Sequence, residues 1–161
     1  MATVSPDLMI QPIGRDPLKV ADQVTMFHLA LVVLDPYTYE SSWVLETAGR
    51  ILTEFGEADC RAGWLVTADD KDTKSFLGPW AERLMVFCDP DRSTVKGLGI
   101  ETLPALVHIG NDESIIGKAE GWDPDGWREI TDNLAVMMSW SKPLIPIPGD
   151  PVPFDGSPAQ G

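Results

Sequence analysis

Apolar residues run along this chain in two rhythms, and the points where one gives way to the other mark its elements. Phe27-His28-Leu29-Ala30-Leu31-Val32-Val33-Leu34 is a nearly unbroken apolar run, the pattern of a strand buried on both faces of a sheet, and Asp35-Pro36 stops it. Over residues 39–55 the period changes. Trp43, Leu45, Ala48, Ile51, Leu52 and Phe55 recur at three- and four-residue steps, with Glu46, Arg50 and Glu54 opposite, which predicts an amphipathic helix. Ser41 or Ser42 is placed to cap its start and Gly56 to end it. Residues 62–68 read as a second strand, followed by the acidic turn Asp69-Asp70-Lys71-Asp72 and a short helix over 73–81 that Gly78-Pro79 weakens. A brief apolar strand covers 84–88. Asp89-Pro90 then predicts another helix, with aspartate as cap and proline at the first helical position.

The next stretch organises the rest: Gly97-Leu98-Gly99-Ile100-Glu101-Thr102-Leu103-Pro104-Ala105-Leu106-Val107-His108-Ile109. Proline has no backbone donor, so Pro104 belongs at the head of the strand over 105–109 and not within it. A proline holding a turn before a core strand is also the usual setting of a cis peptide bond. The turn Gly110-Asn111-Asp112 folds residues 114–118 back as a hairpin strand. Asp123-Pro124 opens a last helix whose inner face is expected to be Trp127, Ile130, Leu134, Met137 and Met138.

Either end departs from these rhythms. The first 24 residues form an arm with Pro6, Pro12 and Pro17 around the apolar patch Leu8-Met9-Ile10, which either adds an edge strand or is an unstructured lead-in, with a short helix over 18–23. Residues 141–161 hold six prolines, a density that forbids helix or central strand and favours extended polyproline II. An inert linker is polar and rich in Gly and Ser. This tail instead carries Leu144, Ile145, Ile147, Val152 and Phe154, so it either packs along its own domain or docks on a partner. The organisation is thus arm 1–24, domain 25–140 and tail 141–161.

Strands alternating with helices, then a proline-led strand, a hairpin and a covering helix, predict an α/β domain. The hydrophobic residue, Pro104 and strand resemble the cis-proline loop of the thioredoxin-like superfamily, and the extra strand and helix within 64–91 are similar to its redoxin and peroxiredoxin branch. That resemblance implies a central mixed sheet flanked by helices, here with an extended Pro-rich C-terminal tail. It also implies a reactive cysteine just after the first core strand, where the following helix favours thiolate over thiol. In this chain that place reads Asp35-Pro36-Tyr37-Thr38-Tyr39-Glu40-Ser41-Ser42-Trp43, without cysteine. Counted from the strand, the C-x-x-C positions fall on Tyr39 and Ser42. Aligned instead on the peroxiredoxin T-x-x-C element, Thr38 matches and the peroxidatic position becomes Ser41. A serine oxygen does not cycle through sulfenate or disulfide.

Composition narrows the choice further. A net charge of −13 lacks the clustered Lys and Arg of a nucleic-acid or anionic-membrane surface, and no apolar run reaches the ~20 residues of a membrane span. The N-terminal residues have no basic region followed by an apolar core, so no secretion signal is expected and the cytoplasm is the expected compartment. Cys60 precedes its strand and Cys88 ends one, which places them at opposite edges of a parallel sheet and out of disulfide reach. His28 and His108 lie in strands with no carboxylate or cysteine at ligand spacing, and Asp69, Asp70 and Asp72 lack the calcium-loop pattern. Gly97-x-Gly99 precedes a strand instead of following one, so it is no dinucleotide site. No catalytic residue, metal or cofactor is expected, and the chain reads as a non-enzyme.

A docking surface is what the pattern leaves. In the superfamily it resembles, the residue before the cis-proline offers its main chain to an extended peptide, a strand-addition mode. The implied partner-binding residues are Tyr37, Thr38, Tyr39, Trp43, Thr102, Leu103 and Pro104, joined by Ile145, Ile147 and Phe154 of the tail. Trp122 is either a neighbour of that surface or core. The chain is also somewhat similar to the hydrogenase-maturation thioredoxin-like chaperones, in the strand ending Asp35-Pro36, the helix ending Leu52-Thr53-Glu54-Phe55 and the sequence Leu103-Pro104-Ala105. The expected function is protein binding as an assembly factor, chaperone or accessory subunit. The alternative is a thiol enzyme or sensor working through Cys88.

Overall fold

The computed structural model describes residues 2–161; Met1, the first residue of the arm, lies outside them. Nine strands and seven helices follow in the order β1 (Met9–Pro12), β2 (Leu18–Lys19), α1 (Val20–Gln23), β3 (His28–Leu34), α2 (Tyr39–Trp43), α3 (Leu45–Glu54), β4 (Cys60–Val66), α4 (Asp70–Leu77), α5 (Trp80–Arg83), β5 (Met85–Cys88), α6 (Ser93–Gly97), β6 (Thr102–Leu103), β7 (Ala105–Ile109), β8 (Ile115–Glu120), α7 (Pro124–Met138) and β9 (Ser157–Pro158). Seven strands form one mixed sheet in the order β2-β1-β5-β4-β3-β7-β8. Strands β3, β4 and β5 are parallel, while β1, β7 and β8 run against their neighbours.

The unbroken apolar run of β3 is explained by burial on both sides. Leu29, Leu31 and Val33 point into one core with Ile10, Val95, Leu103, Val107 and Ile109. Val32 and Leu34 point into the other, with Ala48, Ile51, Leu52, Trp64, Trp122 and Trp127. The period of two along a strand sorts these residues to the two faces without any further instruction. Helices α3 and α7 cover the second face; α1, α6 and the arm close the first. The arm is the edge-adding one: Gln11 and Pro12 pair antiparallel with Cys88 and Phe87.

Four local expectations are corrected. The helix over 39–55 is two helices, broken at Val44, where φ is −99° and ψ −2°. The helix over 73–81 is likewise split, because Gly78 adopts φ +57°, a value an L side chain strains to reach. Pro90 does not begin α6, which starts at Ser93. Asp89 still caps it from a distance, its buried carboxylate accepting from the N–H groups of Thr94 (3.1 Å) and Val95 (2.8 Å). Met137 is exposed, and Thr131 and Ala135 take its place on the inner face of α7.

The tail does not project. It begins against the second core, where Ile145 is buried among the residues packed on α3 and α7, and it ends at Ala159, buried in the first core. Between these points it rounds the edge of the sheet beside Pro104.

Candidate functional site

The carboxyl end of β3 is held by a closed set of bonds around Asp35. Its backbone N–H donates to Ser41 Oγ (2.9 Å), and its carbonyl accepts from the Thr38 N–H (3.2 Å) and hydroxyl (3.0 Å). One carboxylate oxygen accepts the Tyr37 N–H (3.0 Å) and the other takes Arg92 Nη2 (2.8 Å). Asp35 and Ser41 are both buried, so the loop 35–41 is tied to the strand by its own polar groups. Ser41 Oγ therefore spends its lone pairs inward. No imidazole is near to act on it, because His28 opens β3, six residues from Leu34 and about 20 Å away at ~3.3 Å per residue.

Outside this ring the side chains face solvent. Tyr37, Tyr39 and Trp43 are 64%, 81% and 56% exposed. Tyr37 donates its hydroxyl to Asp72 (2.5 Å), and that bond pushes the phenol up to about 12. Ser42, the second C-x-x-C position, donates to the Tyr39 carbonyl (2.7 Å).

The Leu103–Pro104 bond is cis, and the edge before it is occupied. Strand β9 pairs antiparallel with β6, setting Leu103 against Ser157 and Thr102 against Pro158. The Ala159 N–H continues the ladder to the Glu101 carbonyl (2.8 Å), and Arg92 Nη1 donates to the Ala159 carbonyl (2.6 Å). Upstream, Trp122 and Phe154 exchange both main-chain bonds (2.9 and 3.1 Å), while Trp122 Nε1 donates to the Pro151 carbonyl (2.8 Å). The Phe154 ring meets Trp43 edge-on, with centroids 5.4 Å apart.

The tail thus links Trp43, through Phe154, to the edge at Thr102–Leu103, while Leu103 and Pro104 are themselves buried and Thr38 lies in the bonds around Asp35. Tyr39 stands in solvent, and Tyr37 turns away toward Asp72. Ile145 and Ile147 lie elsewhere, where Arg128 Nη1 binds the Ile145 carbonyl (2.8 Å) and the Ile147 N–H reaches Asp150 (2.8 Å). Trp122 is core, fully buried and stacked edge-on against Trp127.

Cys88 ends β5 on the same edge of the sheet, two strands from β3, and is buried with its thiol 3.6 Å from Thr73 Oγ1. Burial pushes it up to about 11. Cys60 is also raised to about 11 by burial. The β4 partner of Cys88 is Val66, six residues from Cys60, a separation of about 20 Å that precludes a bond between the two thiols. Among the described residues no group of three or more His, Cys, Asp or Glu side chains is placed to hold a metal ion, and no helix is long and apolar enough to cross a membrane.

Sequence reasoning missed Arg92, Gly156 and Ala159. Gly156 has φ +94°, and a Cβ there would lie 2.3 Å from the Leu103 carbonyl oxygen. Only the small residues of Gly156-Ser157-Pro158-Ala159 hinted that this end of the tail approaches another backbone.

No family model and no curated protein matches the sequence. Solved structures do match the fold. A protein of Chlorobium tepidum assigned as the thiol:disulfide interchange protein DsbE superposes with a TM-score of 0.68 at 12% identity, over 86% of this chain and 99% of that one. The bacterioferritin comigratory protein of Xanthomonas campestris, studied for alkyl peroxide reduction, gives 0.62 at 12% identity over 88% and 99%. A hypothetical protein of Sinorhizobium meliloti gives 0.64 at 11% identity over 99% of this chain and 94% of its own, so that likeness runs through arm and tail alike. The chain has the thioredoxin-like fold of redoxin, DsbE and peroxiredoxin-type proteins.

Proposed function

We propose that this chain is a non-catalytic thioredoxin-like protein that acts by binding a protein partner, as an assembly factor, chaperone or accessory subunit. One observation carries the reading: every register for the reactive cysteine falls on Tyr39, Ser41 or Ser42, and the nearest thiol on that edge, Cys88, is buried and held protonated at neutral pH. Thiol exchange requires thiolate, and at a pKa of about 11 only about one part in ten thousand is ionised at pH 7. Support for binding comes from Tyr39 and Trp43, large aromatic side chains left largely in solvent on the short helix α2, whose start is tied to β3 by the buried hydrogen bonds of Asp35 and Ser41. Preorganised aromatic anchors of this kind concentrate interface energy. Service to a redox metalloenzyme such as hydrogenase, and a cytoplasmic site of action, are part of the same proposal and rest on the resemblance in sequence alone.

The test is affinity capture with the full chain from its own cells, comparing wild type with the double variant Tyr39→Ser, Trp43→Ser. A stoichiometric protein retained by wild type and lost by the variant is expected. Equal recovery by both contradicts the surface.

A further inference from the structure

The edge before Pro104 is filled by the chain itself, and it is filled in the way an extended ligand would fill it. Bonds to the tail's main chain run along its length: Phe154 with Trp122, Ser157 and Pro158 beside Leu103 and Thr102, and Ala159 with the Glu101 carbonyl and the Arg92 guanidinium. Three of its positions are read by the surface. Phe154 lies against Trp43. At position 156 the Leu103 carbonyl leaves room for hydrogen only, and Gly121 makes the matching concession on the domain side, where a Cβ would sit 2.5 Å from the Asp155 carbonyl oxygen. Ala159 is wholly buried in the first core. Asp155 and Pro158 face outward, while Gln160 donates its side-chain amide to the Ile100 carbonyl (2.9 Å). Main-chain affinity with side-chain pockets is the logic of strand addition.

This segment is anchored separately from the rest of the tail. Asp150 accepts from Thr47 Oγ1 (2.9 Å), Arg50 Nη2 (2.8 Å) and the Ile147 N–H (2.8 Å), while Arg50 Nη1 also holds the Leu144 carbonyl (2.7 Å). Val152 and Pro153, between clasp and edge, are exposed. The bonds that hold residues 154–160 on the edge are thus separate from those that hold Asp150, so that loss of the first set leaves the second in place.

We infer that the Leu103–Pro104 edge is a binding site for an extended segment of a protein partner with the pattern aromatic-x-glycine-x-x-alanine, and that residues 154–160 occupy it as an intramolecular ligand which the partner's segment replaces. The inference rests on the binding role proposed above and specifies its ligand. A short tether holds its ligand at an effective concentration of order millimolar. With an intrinsic Kd for the edge below about 100 μM, the seated tail therefore weakens a competing segment supplied in trans at least tenfold.

Fluorescence polarisation with a labelled synthetic peptide of residues 152–161 tests this on the full-length chain. Gly156→Val and Ala159→Arg each eject the tail by collision with its seat, and circular dichroism reports whether the domain stays folded. Wild type is expected to bind the peptide at least tenfold more weakly than either variant, and a peptide carrying Gly156→Val to bind neither. Folded variants that do not bind, wild type that binds equally well, or variants that unfold because the segment is inseparable from the core each overturn the inference. None of these readouts involves a cellular partner. Peptide binding with unchanged capture by the Tyr39, Trp43 variant would contradict the proposed surface alone.

Discussion

Arg92 spans from the carboxylate of Asp35, 2.8 Å away at the end of the central strand, to the carbonyl of Ala159 at the end of the tail. It does so from a left-handed backbone, φ +62°, in the turn before α6. One guanidinium thus couples the loop where the fold would carry its cysteine to the segment lying on the proline edge. Removing it leaves a buried carboxylate without its counter-ion, which costs more than the pair contributes.

Arg92→Ala is expected to lower unfolding free energy by about 2–3 kcal/mol, somewhat below the range for fully buried pairs because Arg92 keeps 20% of its side chain in water. Urea denaturation measures the loss, and faster hydrogen exchange at the Ala159 amide should accompany it. An unchanged midpoint would show that the pair carries no stability.

Asp150 collects three donors: the Thr47 hydroxyl, Arg50 Nη2 and the Ile147 N–H. Asp150→Ala should cost about 1–3 kcal/mol, since buried donors left unpaired pay their full desolvation. Limited proteolysis should then cut within the tail at protease concentrations that leave wild type intact. Equal cleavage of both proteins would place the anchor elsewhere.

His28 Nδ1 and His108 Nε2 lie 2.8 Å apart at the opposite edge of the sheet from Asp35. Burial, aided by the charge of His28, lowers His108 to about 4, against about 6.5 when unfolded. A base whose folded pKa is depressed takes up its proton on unfolding. Its contribution is therefore complete above pH 6.5 and is lost as the pH falls toward 4. Stability at pH 5 should be about 2 kcal/mol below that at pH 7, a difference that His108→Gln should lack. Matching pH profiles for the two proteins would rule out this histidine as the cause.

Both thiols are protonated by burial, so the native protein should react with an aromatic disulfide reagent at pH 8 far more slowly than a free thiol, and both should react at once in denaturant. Fast reaction of one equivalent in the native protein, lost in Cys88→Ser, would mark Cys88 as accessible after all.

The frame of this fold is legible in the sequence because it is written in short-range patterns: the β3 run, the proline before β7, the hairpin at Gly110 and the face of α7. So is the missing sulfur, which needs only the end of β3 to be located. The docking of the tail is not. Proline-rich segments carry no period, and the seat of Ala159 is made by residues from 92 to 103 that no local pattern links to position 159. Asp89 shows the same limit on a smaller scale, since a side chain can cap a helix four residues away through a turn whose shape is set at Arg92. Met137 faces water because the apolar stripe of α7 passes from Leu134 and Ala135 to Met138, which packs against the cluster of Ala30 and Phe55, and leaves position 137 at its margin.

Everything in the functional account turns on the absence of thiol exchange at the end of β3. Reduction of insulin disulfides at pH 7 with dithiothreitol as electron donor measures it directly, on wild type beside Cys88→Ser. The account predicts that both proteins leave the uncatalysed rate unchanged; turnover by wild type that vanishes in the variant would contradict it.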